Sequence, residues 1–335
     1  MNLFEIIPAM SRKLLVLLAL CLVGAIVAYR LWGGDFNWTL FLSSLKSMDA
    51  WWLIASVLTT IVTYWFRAIR WQVLLAPLKT VRLPSLLSIT VIGFAAIFLL
   101  GRAGEVARPV WLARREKVAL TGSVATIVVE RVVDAIMLVA AFVIALFLAD
   151  VPGSATPTLT LLKDWAWVIA AIAGVAMAAL FVLRSNAAWI VGKIPFRRIA
   201  SLMDSFLQGL SFLQNGRSLA LVLIQSLCLW ALIALQFWFM LLGMNFSFSP
   251  AASTLVMVGA GIGSIAQIPA IGGGFQAGYV FCMTALLSVP LEQAVATSLI
   301  AAAISFAPTI AISFVFMAAQ GFSMRDLKAR EPEVV

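Results

Sequence analysis

The chain has 335 residues, of which 63% are hydrophobic and 11% are charged, and its formal net charge is +9. No segment is polar enough to fold in water, so the composition excludes a soluble domain and predicts one integral membrane domain over residues 1–335. The positive charge does not indicate nucleic acid, because the basic residues gather at the ends of apolar runs, where membrane orientation and anionic lipid explain them better. Three cysteines without CxxC spacing (Cys21, Cys228, Cys282) and the lack of histidine argue against a disulfide framework and a zinc site, and no cofactor is expected.

The first apolar run, residues 14–28, follows Arg12 and Lys13 and therefore resembles a signal peptide. No convincing A-x-A cleavage site follows it, and several further apolar runs come next. We therefore predict an uncleaved first membrane span.

The later apolar runs give the remaining full spans and their orientation. Basic residues follow the second predicted span (51–66), precede the third (118–149), lie between the fourth (165–183) and the fifth (219–242), and end the chain. The intervening residues 31–49, 150–164 and 243–250 hold at most one lysine each. The positive-inside rule then places both termini in the cytoplasm, with a short cytoplasmic tail at 322–335. The predicted spans that follow the first are 51–66, 118–149, 165–183, 219–242 and 294–319.

Two apolar stretches do not fit as single crossings. Residues 86–100 have basic flanks on both sides, which predicts a re-entrant hairpin that turns at 101–104 and returns through 106–113. Residues 252–268 and 275–289 are short and joined without charge, which predicts a second hairpin that enters from the opposite side. The predicted fold is an all-α polytopic bundle of about six full spans plus two re-entrant hairpins, the alternative being eight spans. Opposed hairpins suggest an inverted repeat with a site near the membrane midplane.

Two local patterns concern helix packing. Residues 196–213 place apolar side chains at helical spacing, which predicts an amphipathic interfacial helix. The glycines at 259, 261 and 263 lie in an apolar run without a βαβ context, so they indicate close helix packing and not a dinucleotide loop.

Six charges lie where a membrane-spanning chain should have none. A charged side chain at bilayer depth costs at least ~2.5–3.5 kcal/mol, so such residues usually pair, line a cavity or handle a substrate. On a helix Glu130 and Asp134 share a face, and Arg131 can reach Asp134. A guanidinium released from its carboxylate can bind phosphate as a bidentate fork. The alternative is that the carboxylates permanently neutralise the arginines and lock the fold. The six predicted substrate-binding residues are Arg102, Glu105, Arg108, Glu130, Arg131 and Asp134.

Further residues are candidates for the same site. Arg67 and Arg70 are candidates for headgroup contact, and we expect them to extend to the cytoplasmic headgroups rather than to reach the cavity. Gly272, Gly273 and Gly274 either present backbone amides to an anion or simply permit a tight turn. Gln276 adds a neutral polar group beside these three glycines.

These residues carry a resemblance to a known family. The stretch G-R-A-G-E-V-A-R-P at 101–109, followed by E-R-V-V-D at 130–134, resembles the membrane domain of bacterial lysylphosphatidylglycerol synthase/flippase proteins. Residues 67–75 are similar to that family's R-x-x-R-W-x-x-L-L element. Residues 269–278 resemble its P-x-P-G-G-x-G-x-x-E stretch, but Ile271, Phe275 and Gly278 replace the second proline, the third glycine and the glutamate.

The resemblance implies a flippase-like domain of the bacterial inner membrane without the soluble aminoacyl-transfer domain. The expected function is that of a transporter, not an enzyme, which binds a phosphate-bearing lipid headgroup in a charged midplane cavity and moves it between leaflets. Arg102, Arg108 and Arg131 are expected to contact the headgroup, while the three carboxylates set their charge and geometry. One alternative is a membrane-embedded lipid-modifying transferase or its accessory subunit, and another is a small-anion transporter. The expected partners are an anionic or lipid-linked phosphate substrate and membrane lipids, without nucleic acid.

Overall fold

The computed structural model describes residues 36–152, 156–266 and 273–319. Within these ranges every regular element is helical, and six helices are long and apolar enough to cross a membrane. The predicted all-α polytopic membrane fold is therefore confirmed. The predicted first span at 14–28 lies outside the described residues.

The helices follow one another with short connections, and several begin at a side-chain cap. Asp49 accepts a hydrogen bond from the amide of Trp51, and Asn215 and Ser249 cap later helices in the same way. The described helices are α1 Trp38–Lys46, α2 Ala50–Leu75, α3 Leu83–Leu100, α4 Ala107–Glu116, α5 Leu120–Leu148, α6 Thr156–Ser185, α7 Ala187–Gly192, α8 Arg197–Gly209, α9 Gly216–Gly243, α10 Pro250–Gly263, α11 Gly274–Phe281 and α12 Leu291–Ala319.

Five of the six long helices, α2, α5, α6, α9 and α12, correspond to predicted full spans. The sixth, α3, is the first arm of a hairpin. It ends at Gly101, whose φ of 65° suits glycine, and a 3₁₀ turn over Gly101–Val106 leads into α4. Ser85, near the start of α3, donates a hydrogen bond to Glu116 at the end of α4, at 2.6 Å. The chain thus turns back towards the level at which it entered, as the first predicted hairpin requires, and its re-entrance into the membrane stays a prediction.

The second hairpin pairs α10 with α11, which continues into a π-helical turn over Cys282–Leu286. Gly259 and Gly263 face Gly278 and Gly274 so closely that an added Cβ at any of the four would overlap the opposite arm. The predicted role in close helix packing is confirmed for Gly259 and Gly263, whereas Gly261 has room for a Cβ and lines the cavity described below. With 14 residues α10 extends only ~21 Å, and α11 has 8 residues before the π-helical turn, so each of these helices is shorter than the ~30 Å hydrocarbon core.

The chain repeats the sequence of long helix, hairpin and long helix. The first unit runs from α2 to α5 and the second from α9 to α12. Helices α2 and α9 are antiparallel, since the Asp49 amide donates to Gly243 at 2.8 Å while Ser56 Oγ donates to the Gln236 carbonyl at 2.9 Å. Helix α12 packs on α3, and α5 packs on α10, so each closing helix contacts the hairpin of the other unit. This reciprocal packing is what an inverted repeat produces.

The predicted amphipathic helix is present as α8, followed by a 3₁₀ turn over Ser211–Gln214. Leu207 and Leu210 are buried with α5 beside them, whereas Phe196, Ile199 and Leu202 are exposed. An exposed apolar face next to basic residues suits a membrane interface. The interfacial position of α8 stays a prediction.

The first hairpin makes a prediction about sidedness. In a background without native cysteines, Thr80→Cys and Ala119→Cys should react with a membrane-impermeant thiol reagent from the cytoplasmic side only, because they flank the two ends of the hairpin. Lys46→Cys, at the end of α1 and four residues before α2 begins, should react only from the other side. Labelling of Thr80→Cys and Ala119→Cys from opposite sides would show that α3 crosses the membrane.

Candidate functional site

Arginine and carboxylate side chains from three helices form one charge cluster, which consists of Arg70, Arg108, Glu130, Arg131 and Asp134. Arg70 of α2 binds Asp134 of α5 through both terminal nitrogens, at 2.6 and 3.2 Å. Arg70 Nη1 also donates to Ser226 Oγ of α9 at 3.1 Å, and its side chain is fully buried. Arg70 therefore ties together α2, α5 and α9.

A second bidentate pair joins the first hairpin to α5. Arg108 of α4 donates to the two oxygens of Glu130 at 2.8 and 3.1 Å. Its guanidinium lies over the Trp71 ring at 4.4 Å, and Trp71 in turn donates to Thr126 Oγ1 at 3.1 Å. Because Arg108 is 1% exposed, this pair is sealed from solvent. It fixes the returning arm of the hairpin against the helix that follows it.

Glu130 is the centre of the cluster. Besides Arg108, it accepts a hydrogen bond from Arg131 at 2.6 Å and lies 3.5 Å from Arg70. Asp134, one turn further along α5, also accepts from Trp230 at 3.2 Å and lies 3.8 Å from Arg131. The expectation that Glu130 and Asp134 share a helix face is confirmed, since Arg70 reaches both.

A cavity of about 420 Å³ lies against one side of the charge cluster. Its charged wall consists of Arg67, Glu105, Arg131 and Asp134. Arg131 leaves 37% of its side chain exposed, in contrast to the enclosed Arg70 and Arg108. The other walls are aromatic, aliphatic and neutral polar, and include Thr60, Thr63, Tyr64, Phe94, Leu138, Trp230, Ile233, Gln236, Phe237, Met257 and Ser305.

Both hairpins reach this cavity. The first contributes Gly101 and Glu105, and the second contributes residues that include Ser264 and Phe275. Phe306 of α12 connects the two, because its ring stacks on Phe98 of α3 at 4.5 Å and meets the Phe275 ring edge-on at 5.3 Å. Movement of either hairpin would therefore change the shape of the cavity wall.

The structure divides the predicted site residues into two groups. Glu105, Arg131 and Asp134 line the cavity, whereas Arg108 and Glu130 are enclosed behind that wall. Here Arg108 binds Glu130 and does not face the space a headgroup would occupy. The backbone of Arg102 belongs to the 3₁₀ turn, and headgroup contact by its side chain stays a prediction.

The expectation that Arg67 and Arg70 extend to the cytoplasmic headgroups is wrong. Helix α2 continues to Leu75, so both arginines lie within the helix and not at its end. Arg70 is a full member of the charge cluster, and Arg67 lines the cavity with its guanidinium 4.5 Å from the centre of the Phe94 ring. The sequence signal was the apolar spacing of Ala68, Trp71, Leu74 and Leu75, all fully buried, which continues the helical face past both charges.

The predicted glycine site is less well supported. Gly273 has a φ of 66°, so a turn conformation alone accounts for glycine there. Gly274 packs against the Gly263 carbonyl, and the cavity wall includes Phe275 but not Gly273, Gly274 or Gln276. Gly272 lies outside the described residues. Headgroup binding by these four residues stays a prediction.

Comparison with known sequences agrees with these features. The profile of a family described as the lysylphosphatidylglycerol synthase TM region matches residues 14–313, which include both hairpins and every residue of the charge cluster. Comparison with curated proteins gives no match. Since the family profile covers most of the 335 residues, this chain belongs to the lysylphosphatidylglycerol synthase TM region family.

Proposed function

We propose that this protein is a flippase-like transporter of the bacterial inner membrane, with both termini in the cytoplasm. It binds a phosphate-bearing lipid headgroup in the cavity beside the charge cluster and moves that headgroup between leaflets. Family membership supports a function related to membrane lipids. The observation that carries the proposal is the accessible pair of guanidinium groups, Arg67 and Arg131, on the wall of a cavity enclosed by apolar helices.

The charge balance favours an anionic ligand. Among the described side chains, the cluster and the cavity wall bring together four arginines and three carboxylates, a formal surplus of one positive charge. Two arginines, Arg70 and Arg108, are each held by a bidentate carboxylate. The surplus therefore falls on Arg67 and Arg131, and a phosphate is the anion that a guanidinium fork binds best in a lipid.

The hairpins suggest how such a headgroup would move. The charged and neutral polar side chains on the cavity wall replace part of the hydration that a phosphate would otherwise lose in hydrocarbon. The cavity lies between two hairpins whose units are related as an inverted repeat, the arrangement in which transporters alternate access to a central site. In this proposal the hairpins rock around the bound headgroup while the acyl chains stay in apolar surroundings.

Arg131→Gln should weaken binding of an anionic phospholipid while leaving the protein folded. A hydrogen bond to a charged group contributes ~1.5–3 kcal/mol, so the loss should be roughly ten- to a hundredfold in affinity. Stability should change less, because Glu130 keeps Arg108 and Arg70 as partners. The measurement is lipid binding to purified protein, together with leaflet exchange of a fluorescent phosphatidylglycerol in vesicles.

The matched control is Arg217→Gln, which removes an exposed arginine at the start of α9 and should leave both readings unchanged. Equal binding and exchange by the Arg131→Gln and wild-type proteins would contradict a phosphate site at this wall. Formation of a modified lipid in the same vesicles would instead favour the transferase.

A further inference from the structure

A second opening lies on the other side of the cavity wall. It is an apolar groove of about 410 Å³ between α2, α3 and α12. Its lining is apolar apart from one tyrosine hydroxyl, and includes Val62, Tyr64, Trp65, Val91, Ile312 and Phe316. No residue of the charge cluster lines this groove.

The groove and the headgroup cavity share one residue. Tyr64 lines both spaces, and its ring meets the Phe94 ring edge-on at 5.6 Å. Phe94 in turn carries the Arg67 guanidinium over its face at 4.5 Å. The wall between the apolar groove and the cationic cavity is therefore about one aromatic side chain thick.

The groove opens towards the outside of the bundle. Val62 is 40% exposed and Trp65 is 48% exposed, although both belong to a helix apolar enough to cross the membrane. Side chains exposed at that depth face lipid. A molecule in the groove would thus contact the bilayer on one side and come within one side chain of the cavity on the other.

We infer that this groove holds an acyl chain of the lipid whose headgroup occupies the cavity, with Tyr64 at the junction between chain and headgroup. The inference rests on the proposed function and adds a second binding site to it. The volume lies within the range of small-ligand sites, and the lining changes from apolar to cationic across Tyr64 as a phospholipid changes from chain to phosphate. A free anion has no apolar chain that could fill the groove.

The groove orients the lipid more than it attracts it. Lipid tails are as apolar as leucine, so a chain that moves from the bilayer into the groove gains little hydrophobic energy. Filling the groove should therefore slow movement of the whole lipid while binding of the isolated headgroup persists. That difference separates an acyl-chain site from a part of the headgroup site.

Photolabelling tests occupancy directly. The probe is phosphatidylglycerol with a diazirine on one acyl chain, in phosphatidylcholine vesicles that contain the full-length protein. Adducts should form at 61–65, 87–91 and 312–316, and excess unlabelled phosphatidylglycerol should compete them away. Exposed residues of α6 such as Ile172 and Val175 report ordinary lipid contact and should be labelled without competition. Groove labelling that resists competition as α6 does would overturn the inference.

Val62→Trp tests function, because the larger ring fills the mouth of the groove from an exposed position. It should lower the rate of phosphatidylglycerol movement severalfold and leave binding of glycerol phosphate unchanged. Val175→Trp on α6 is the matched control and should affect neither.

Two outcomes would overturn the inference. One is wild-type lipid movement by Val62→Trp. The other is a disulfide-linked dimer through Val62→Cys, which would assign the groove to a second copy. If wild-type protein neither binds glycerol phosphate nor moves lipid, the proposed function fails as well.

Discussion

Glu130→Gln should be the most destabilising single substitution in the charge cluster. The carboxylate of Glu130 contacts Arg70, Arg108 and Arg131, so its neutralisation leaves Asp134 as the one charged carboxylate within the five-residue charge cluster. Removal of one partner from a buried ion pair typically costs ~3–5 kcal/mol. The amide adds a donor that faces other donors, which worsens the loss. Thermal unfolding of the purified protein in mild detergent should show this as a large fall in transition temperature.

A double variant separates the charge effect from a packing effect. Glu130→Leu with Arg108→Met removes the sealed bidentate pair as a unit, and such apolar replacements are often neutral or stabilising. Arg70 and Asp134 keep each other, and Arg131 is partly exposed, so the double variant should recover most of the stability. Glu105→Gln, at the partly buried cavity wall, should cost less than Glu130→Gln. A Glu130→Gln protein within ~1 kcal/mol of wild type would contradict a structural role for the cluster.

The two interpretations of the buried charges therefore apply to different residues. Arg70 and Arg108 are enclosed and held by carboxylates, which is the arrangement of a structural lock. Arg67 and Arg131 line the cavity, where a ligand can reach them. Sequence alone leaves this division open, because all four arginines lie in similar apolar surroundings.

The positions of the basic residues predicted the hairpins, because the positive-inside rule constrains each segment from its own flanking residues. Basic flanks on both sides of 86–100 require the chain to return, and the short uncharged join between 252–268 and 275–289 favours a turn over two crossings. Both hairpins are present.

The ion-pair partners within the charge cluster were harder to predict from sequence, since ion pairing is a tertiary property. Sequence analysis did not assign Arg70 to the cluster, although the structure pairs it with Asp134 and Glu130, which are 64 and 60 residues further along the chain.

The positions of the tryptophans show the same limit of prediction from sequence. In a membrane protein they are expected at the interfaces, and Trp51 is indeed exposed at the start of α2. Trp71 is instead fully buried beneath Arg108, and Trp230 donates a hydrogen bond to Asp134. A polar indole edge and a cation-binding face suit a buried charge as well as they suit a headgroup. Only the packing of α2 and α9 against α5 decides between these roles.

The second hairpin explains a departure from the family pattern. Gly278 stands where that pattern has glutamate, and its Cα faces the Gly259 carbonyl so closely that a Cβ would overlap the oxygen. Gly274 and Gly263 are in equally close contact one turn away. Two glycines spaced four apart on each arm thus let the backbones approach, as small residues do between membrane helices. In this chain position 278 serves helix packing.

Restoring the glutamate should therefore disrupt the hairpin. Gly278→Ala already forces a backbone shift, which typically costs ~1–3 kcal/mol, and Gly278→Glu should cost more because a carboxylate must also fit between the arms. Both should lower the transition temperature in detergent and weaken lipid binding, since Ser264 and Phe275 of this hairpin line the cavity. Gly174→Ala is the matched control: this glycine lies inside α6 with no atom near its added Cβ, so alanine should be neutral or stabilise by up to ~1 kcal/mol. A Gly278→Glu protein as stable as Gly174→Ala, with wild-type lipid binding, would show that the two arms do not need this close contact.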